Sequence, residues 1–478
     1  MKKGSITIFS LLSMMLVASA LFALLETARF QELKRLTQLQ TELALEGAFA
    51  EYSQYLWEEY HLLACEQKQL LHRIEECGNG GCSVEASGSD FFQFRVKDIY
   101  IDGYTRLTDG DGLAFIQAIS AYMQKNILYE SAKDIYSQYE AIKYLQEESA
   151  FSLGDIEKAI KALQQENTST GSTGQRIGSD SRDSEYVREG ENLLESIQKL
   201  QKMGILALVI EDTSQLSNGK MDITNVVSKR SLPEGVYPKI EATEWYDRVL
   251  LQQYMLTYLS NYMDEKGHVS RYELEYLLGG KSKEIDNLKI AVGQILAIRE
   301  SANMLYLLNS PACVEQARLL ALSIAGASLN PVQIEIVKTA ILAAWAFAES
   351  ILDMRTLLSG GRISLLKSDE SWTMDLKKVS TLATGFTKAK SSKNGLSYAD
   401  YVGVLLLFQK DTTVAKRCMD LQEQTLRQRY NRMEIYMEDW IVEARVRVSY
   451  SYRPVFFSIE NVVPNWSYQL STEAGFQY

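Results

Sequence analysis

Side-chain chemistry needs nucleophiles, bases or metal ligands at workable spacing, and this chain carries few. Its three histidines are His61, His72 and His268, and none pairs with another at metal-ligand spacing. His61 and His72 fall on one helical stretch and read as polar surface or interface residues. There are five cysteines, Cys65, Cys77, Cys82, Cys313 and Cys418, and an odd number cannot all pair within the chain. Cys77 and Cys82 flank Gly-Asn-Gly-Gly and are spaced to close a short disulfide loop in an oxidising compartment. Whether they do so stays open. No second cysteine pair or following histidine completes a zinc site. Cys313 and Cys418 sit in apolar helical text and are expected to be buried thiols.

Motifs that would carry a ligand fail on particular positions. Gly279-Gly280-Lys281-Ser282 resembles the end of a phosphate loop, but Glu275 stands where the upstream glycine is required and no strand precedes it. Read as a calcium loop, Asp264–Glu275 places Lys266 at a ligand position and Val269 at the turn glycine. Asp109 and Asp111 in Thr108-Asp-Gly-Asp-Gly112 lack the later glutamate, so a turn leading into a helix near Leu113 is expected. Glu58-Glu59, Glu75-Glu76 and Glu147-Glu148 are neighbours that do not face one another on a helix, which makes them solvated faces. No serine-hydrolase elbow and no dinucleotide-binding glycine fingerprint is present. The sequence therefore assigns no catalytic, cofactor-binding or metal-ligating residue, and the expectation is of a protein without a cofactor that is not an enzyme.

Composition narrows the partners. The chain has 478 residues and a net charge of −11 at pH 7. Phosphate backbones are bound by clustered Lys and Arg, so nucleic acid is a poor fit. Only six Pro occur, and a chain so poor in Pro favours helices.

The N-terminus decides the class. After a short basic tail (1–5), Ile6–Leu25 is an uncharged apolar run long enough to cross a bilayer as a helix. A cleaved signal peptide is the competing reading, because Ala18-Ser19-Ala20 has the small-x-small form a peptidase accepts. The run continues through Leu21-Phe22-Ala23-Leu24-Leu25, which favours an uncleaved anchor. Lys2 and Lys3 place the tail in the cytoplasm and the body outside, although Arg29, Lys34 and Arg35 nearly balance the count. The expectation is a single-pass cell-membrane protein with an extracytoplasmic body, held in the lipid bilayer by Ile6–Leu25.

The elements beyond the anchor follow from periodicity. Residues 26–75 read as a stalk helix, with Leu36, Leu39, Leu43 and Ala50 on the face that packs, against either a partner helix or the chain's own body. Tyr52, Tyr55, Trp57 and Tyr60 are expected to form its base. Residues 89–165 form an α/β segment, opening with the alternating Phe92, Phe94 and Val96. Residues 166–185, rich in Ser, Thr, Gly and Asp, read as a flexible linker. Residues 186–435 form a helical body. Within it Ala291, Ile295, Ile298, Ala302 and Leu305 recur at helical spacing, Ala340–Ala348 is a buried core helix, and Gly279-Gly280 and Gly360-Gly361 mark helix exits. Residues 436–478 form a C-terminal β segment, where Ala444, Val446, Val448, Tyr450 and Tyr452 alternate with polar residues and 455–463 gives a second strand. The fold class is mainly α with a small β component. The two alternating stretches are expected to share one small sheet, since a lone strand leaves its backbone unpaired.

Several blocks resemble an uncharacterised family of Clostridia-type membrane proteins, the domain of unknown function 5702 family. They are Lys3-Gly-Ser-Ile-Thr-Ile-Phe9, Leu25-Glu-Thr-Ala-Arg29, Phe49-Ala-Glu-Tyr52, Leu56-Trp-Glu-Glu-Tyr60, Ile298-Arg-Glu-Ser-Ala-Asn303, Ala344-Trp-Ala-Phe-Ala-Glu-Ser350 and Gly395-Leu-Ser-Tyr-Ala-Asp-Tyr401. The resemblance reaches nearly the whole chain, with the N-terminal block the most specific. The layout is similar to that of TadE/TadG-like proteins, whose company is the Tad (Flp) pilus or type II secretion-like machinery. It implies a structural or assembly role, with other transmembrane helices of that assembly as partners. The rival expectation is a membrane-tethered enzyme or ligand-binding protein acting at the cell wall. In one respect the chain departs from pilin-like substrates. Phe9 stands where those carry a glutamate after the cleaved glycine, so the expected state retains Lys2-Lys3-Gly4.

Overall fold

The computed structural model describes residues 2–76, 92, 94–125, 127, 129–148, 203–236, 240, 242–325, 331–382, 385–455 and 467–478. Cys77, Cys82, the linker at 166–185 and most of the second strand expected at 455–463 lie outside the described residues.

In chain order the helices and strands are α1 (Lys2–Ala50), α2 (Gln54–Tyr60), β1 (Cys65–Glu66), α3 (Gln67–Glu76), β2 (Phe94–Arg106), α4 (Asp109–Met123) and α5 (Tyr129–Glu148). Then come α6 (Ile205–Val209), α7 (Trp245–Tyr258), α8 (Glu273–Gly279), α9 (Glu284–Asn309), α10 (Pro311–Ala325) and α11 (Pro331–Leu357). The chain closes with α12 (Tyr398–Leu407), α13 (Asp411–Arg429), β3 (Trp440–Tyr452) and β4 (Tyr468–Gln477). Among the described residues the fold is mainly helical, with one small antiparallel sheet that contains the C-terminal strands and one long apolar N-terminal helix. The chain divides into two compact units: residues 1–122, 230–243 and 422–478 form one, and 123–229 and 244–421 form the other.

In the first unit β3 is the centre of the sheet. β2 pairs antiparallel along one side of it from Phe94↔Tyr452 to Arg106↔Ile441, with bulges near Lys97 and Asp102. On its other side β4 runs from Glu443↔Gln477 to Tyr452↔Tyr468, and β1 adds Cys65↔Ile441. The two alternating stretches of the sequence thus meet as neighbouring strands. The Asp109 turn also forms as expected: Gly110, Asp111 and Gly112 have positive φ, and regular helix follows. The Asp109 carboxylate serves the backbone there, accepting from Arg106 N at 2.8 Å and Gly235 N at 3.0 Å.

The stalk differs from its expectation in two ways. A single helix does not run through 26–75: α1 ends at Ala50, and Ser53 caps the short α2 that follows. No Pro or Gly marks this break. Tertiary packing imposes it by burying Leu56, Tyr60, Leu62, Ala64 and Cys65. The packed face of α1 is also a different one. Leu33, Thr37, Thr41, Leu45, Ala48 and Phe49 are buried, whereas Leu39 and Leu43 are 50% and 52% exposed. The stripe packed on the chain's own body thus carries threonines, and the Leu39–Leu43 side marked by hydrophobic periodicity is left to the partner-helix alternative. The core beneath α1 joins Leu45, Ala48 and Phe49 to Leu70, Ile441, Ala444, Val446 and Ala474.

The second unit is helical. α11 packs on α9 and α10, and α9 also packs on α8. Ala291, Ile295, Ile298 and Ala302 of α9 are buried, as is every residue of Ala340–Ala348. Helix ends follow their local chemistry. Pro311 and Pro331 open α10 and α11, where a missing N–H costs nothing. Ser397 and Asp400 exchange backbone hydrogen bonds as a capping box on α12. α8 ends at Gly279, and Gly280 adopts φ 60°.

Candidate functional site

α1 joins two environments in one helix. Its N-terminal half is bare: Ile6, Phe9, Met14, Leu16 and Leu24 are each more than 60% exposed. The stretch is long and apolar enough to cross a membrane, and none of it is buried. Polar ties to the sheet begin directly after Leu25. Arg29, 3% exposed, donates to Glu26 Oε1 at 2.7 Å and to the Phe92 carbonyl at 2.7 Å. Farther along, the Thr41 hydroxyl lies 2.9 Å from the Tyr450 phenol and 2.7 Å from the Thr472 hydroxyl. At the C-terminal end the Phe49 ring stacks on Phe476 at 4.6 Å, and Tyr478 donates to the Phe49 carbonyl. The contacts run in order along both the helix and the strands, so α1 lies lengthwise on the sheet.

The opposite face of the sheet carries a shallow cleft of about 670 Å³, with Asp102, Glu443, Arg445, Arg447 and Glu473 among its lining residues. Arg447 bridges Asp102 and Glu473 at 2.9 Å each. Carboxylates outnumber arginines there by one, and the lining includes no His, Cys or Ser.

Two buried polar networks stand out among the described residues of the second unit. In the first, Arg299, Asn303, Ser350, Asp353 and Tyr401 are all buried. Arg299 reaches Asp353 Oδ2 at 3.0 Å, the Ser364 and Leu365 carbonyls at 2.9 and 2.8 Å, and the Tyr401 hydroxyl at 3.0 Å. Lys367 joins Asp353 at 2.8 Å to Glu349 at 2.6 Å, and Glu349 also accepts from Met374 N at 2.7 Å. Two cations and two carboxylates close on each other, a pattern of a cross-brace between helices and loops.

In the second network, carboxylates from α8 and α9 hold the loop that precedes α8. Glu273 accepts from Ser260 N at 2.7 Å and contacts His268 Nδ1 at 2.7 Å. Glu275 accepts from Tyr262 N at 2.9 Å and from the Tyr398 hydroxyl at 2.7 Å. Glu284 accepts from Arg271 N and from the Ser217 and Ser270 hydroxyls. Burial raises both α8 carboxyls, Glu275 to about 7, against the pull of its hydrogen bonds. Cys418 is buried, and desolvation holds its thiol well above the usual range. Cys313 is only half-buried, contrary to expectation, because it lies near the start of α10. Among the described residues no group of His, Cys, Asp and Glu is placed to hold a metal ion.

Of the histidines, His72 is exposed beside Glu76, and His61 closes α2 at φ 51° with its ring near Trp57 and Tyr122. Of the aromatic set, Tyr60 is buried and Tyr55 packs on Tyr430 at 4.3 Å. The buried carboxylates were missed by sequence reasoning, since Glu275 and Tyr398 lie far apart in the chain.

The profile of a family of unknown function (DUF5702) matches residues 183–452, more than half of the chain. The chain belongs to this family. The matched DUF5702 region contains both buried networks and β3, whereas α1, β2 and β4 fall outside it. The N-terminal blocks of the resemblance therefore stand outside the match, and the blocks beginning at Ile298, Ala344 and Gly395 stand within it. Comparison with curated proteins and with solved structures returned no match.

Proposed function

We propose that this DUF5702 protein is a membrane-anchored structural or assembly component, working with a Tad/Flp-type pilus or type II secretion-like apparatus. The observation that carries the reading is α1 itself: a bare apolar half long enough to span a bilayer continues without a break into a half packed along the sheet. In this reading the tail is cytoplasmic, the body is extracytoplasmic, and the bare half of α1 packs with other transmembrane helices. The layout shared with TadE/TadG-like proteins supports the pilus assignment. The experiment is cross-linking in native membranes, followed by solubilisation and mass spectrometry of co-purified chains. Recovery of pilus or secretion components is expected. Recovery of the chain alone from intact membranes would reject the assignment. The second reading, a membrane-tethered ligand-binding protein or enzyme at the cell wall, draws on the charged cleft over Arg445 and Arg447. It predicts saturable binding of cell-wall fragments that Arg447→Ala abolishes.

A further inference from the structure

One end of the sheet is built differently from the other. Phe94, Tyr452 and Tyr468 stand in register across three strands. The Tyr452 and Tyr468 rings stack at 5.3 Å, and Phe30 of α1 lies against Tyr452 at 5.6 Å. Tyr468 is 39% exposed and Val455 40%, and Arg95 and Arg453 are exposed beside them. The same end is tied to the exit of the apolar stretch: Arg29 holds the Phe92 carbonyl, and Val455 N donates to Glu26 at 3.3 Å.

The helix sets the height of this rim. Ile6–Leu25 is about 30 Å long at about 1.5 Å per residue, which matches a hydrocarbon core. If Leu25 marks the edge of that core, Phe30 lies about 7.5 Å beyond it along the axis. The headgroup layer is about 5–8 Å deep on each side. Phe30 and the rings it touches thus fall at headgroup level, where amphipathic aromatic rings settle and where Arg finds phosphate. Glu26 and Arg29, whose charges would be costly this close to the core, neutralise each other at 2.7 Å.

We infer that Phe94, Arg453, Val455 and Tyr468, with Tyr452 buried behind them, form a lipid-contacting collar, seated in the headgroups of the bilayer that α1 crosses. The sheet then rests on the membrane surface with no spacer, and the collar fixes the depth of the helix. This rests on the reading of Ile6–Leu25 as a span.

The test uses the full chain in phosphatidylethanolamine/phosphatidylglycerol vesicles, with photoreactive benzoylphenylalanine placed singly at Leu16, Tyr468, Arg453, Leu43 or Tyr100. Tyr468 and Arg453 are exposed, and the probe at Tyr468 keeps a ring on Tyr452, so both variants should fold. Lipid adducts are expected at Leu16, Tyr468 and Arg453, with at least tenfold less at Leu43 and Tyr100. Adducts at Leu16 without adducts at Tyr468 and Arg453 would overturn the collar while leaving the span standing. Loss of adducts at Leu16 would overturn both. Equal labelling at all five positions would show non-specific adsorption and would also overturn the collar.

Discussion

Arg299 and Asp353 form an ion pair with no exposed side-chain surface on either partner, Nη2 to Oδ2 at 3.0 Å. Asp353 also receives Asn303 at 3.0 Å and Lys367 at 2.8 Å. Removing the carboxylate would leave the Arg299 guanidinium on neutral partners and Lys367 on Glu349 alone. Asp353→Ala should therefore destabilise the protein by roughly 3–5 kcal/mol. Chemical denaturation followed by tryptophan fluorescence measures this, and a loss below about 1 kcal/mol would mean that water reaches the pair.

Glu275 gives the second unit a pH dependence of definite sign. Burial raises its folded pKa from 4.5 to about 7. The folded state then holds the proton more tightly than the unfolded chain. The associated stability is present in full below pH 4.5 and is lost as pH rises toward and through about 7. Denaturation midpoints should fall over that window. Glu275→Gln keeps an acceptor for Tyr262 N and Tyr398 and should flatten the slope. An unchanged slope in the variant would assign the effect elsewhere, first to Glu300, which burial also raises to about 7.

The two faces of α1 can be told apart by truncation. Leu33 is fully buried and Leu39 half exposed. Leu33→Ala should cost about 2–5 kcal/mol of unfolding free energy, and Leu39→Ala should fall within about 0.5 kcal/mol of the parent. Equal losses by thermal denaturation in detergent would show that the Leu39 side also packs within the protein.

Gly280 ends α8 at φ 60°, and a Cβ there would meet Arg417 Nη2 at 2.5 Å. That guanidinium donates to the Leu277 and Leu278 carbonyls at 2.7 and 3.0 Å. Gly280→Ala should cost about 1–3 kcal/mol from left-handed strain and displacement of Arg417. Gly267→Ala, at φ 77° with open space around the Cβ, should cost about 1–2 kcal/mol from strain alone. A smaller loss at Gly280 than at Gly267, by urea denaturation, would contradict the packing.

Legibility followed how each feature is encoded. The β2–β3 pair was readable because Phe94, Val96 and Ala444–Tyr452 alternate strongly between apolar and polar. β4 escaped notice because its inward positions include Thr472 and Ala474, which contrast weakly with Ser471 and Glu473. The apolar half of α1 needed only length and hydropathy. Its packed half is not legible because the stripe holds Thr37, whose hydroxyl turns back to the Leu33 carbonyl, and Thr41, whose hydroxyl meets Tyr450 and Thr472, a pairing invisible until the strands are placed. The carboxylates of α8 look like any solvated acidic pair in the sequence. Only folding brings Tyr398 and the loop amides to them.

The contacts of α1, from Phe30 at Tyr452 to Phe49 at Phe476, lie along the direction of the strands. The helix contains no Pro between Lys2 and Ala50, so no proline kink interrupts it. A pull on its N-terminal end would load this seam in shear, with the Thr41 hydroxyl bonds and the aromatic contacts sharing the force at once. A seam loaded this way yields only when many contacts break together, whereas one peeled from an end yields contact by contact. How long it holds is set by its unfolding rate under load, independently of its equilibrium stability. α1 is thus arranged as a tensile coupling between whatever grips the bare helix and the body that hangs from it.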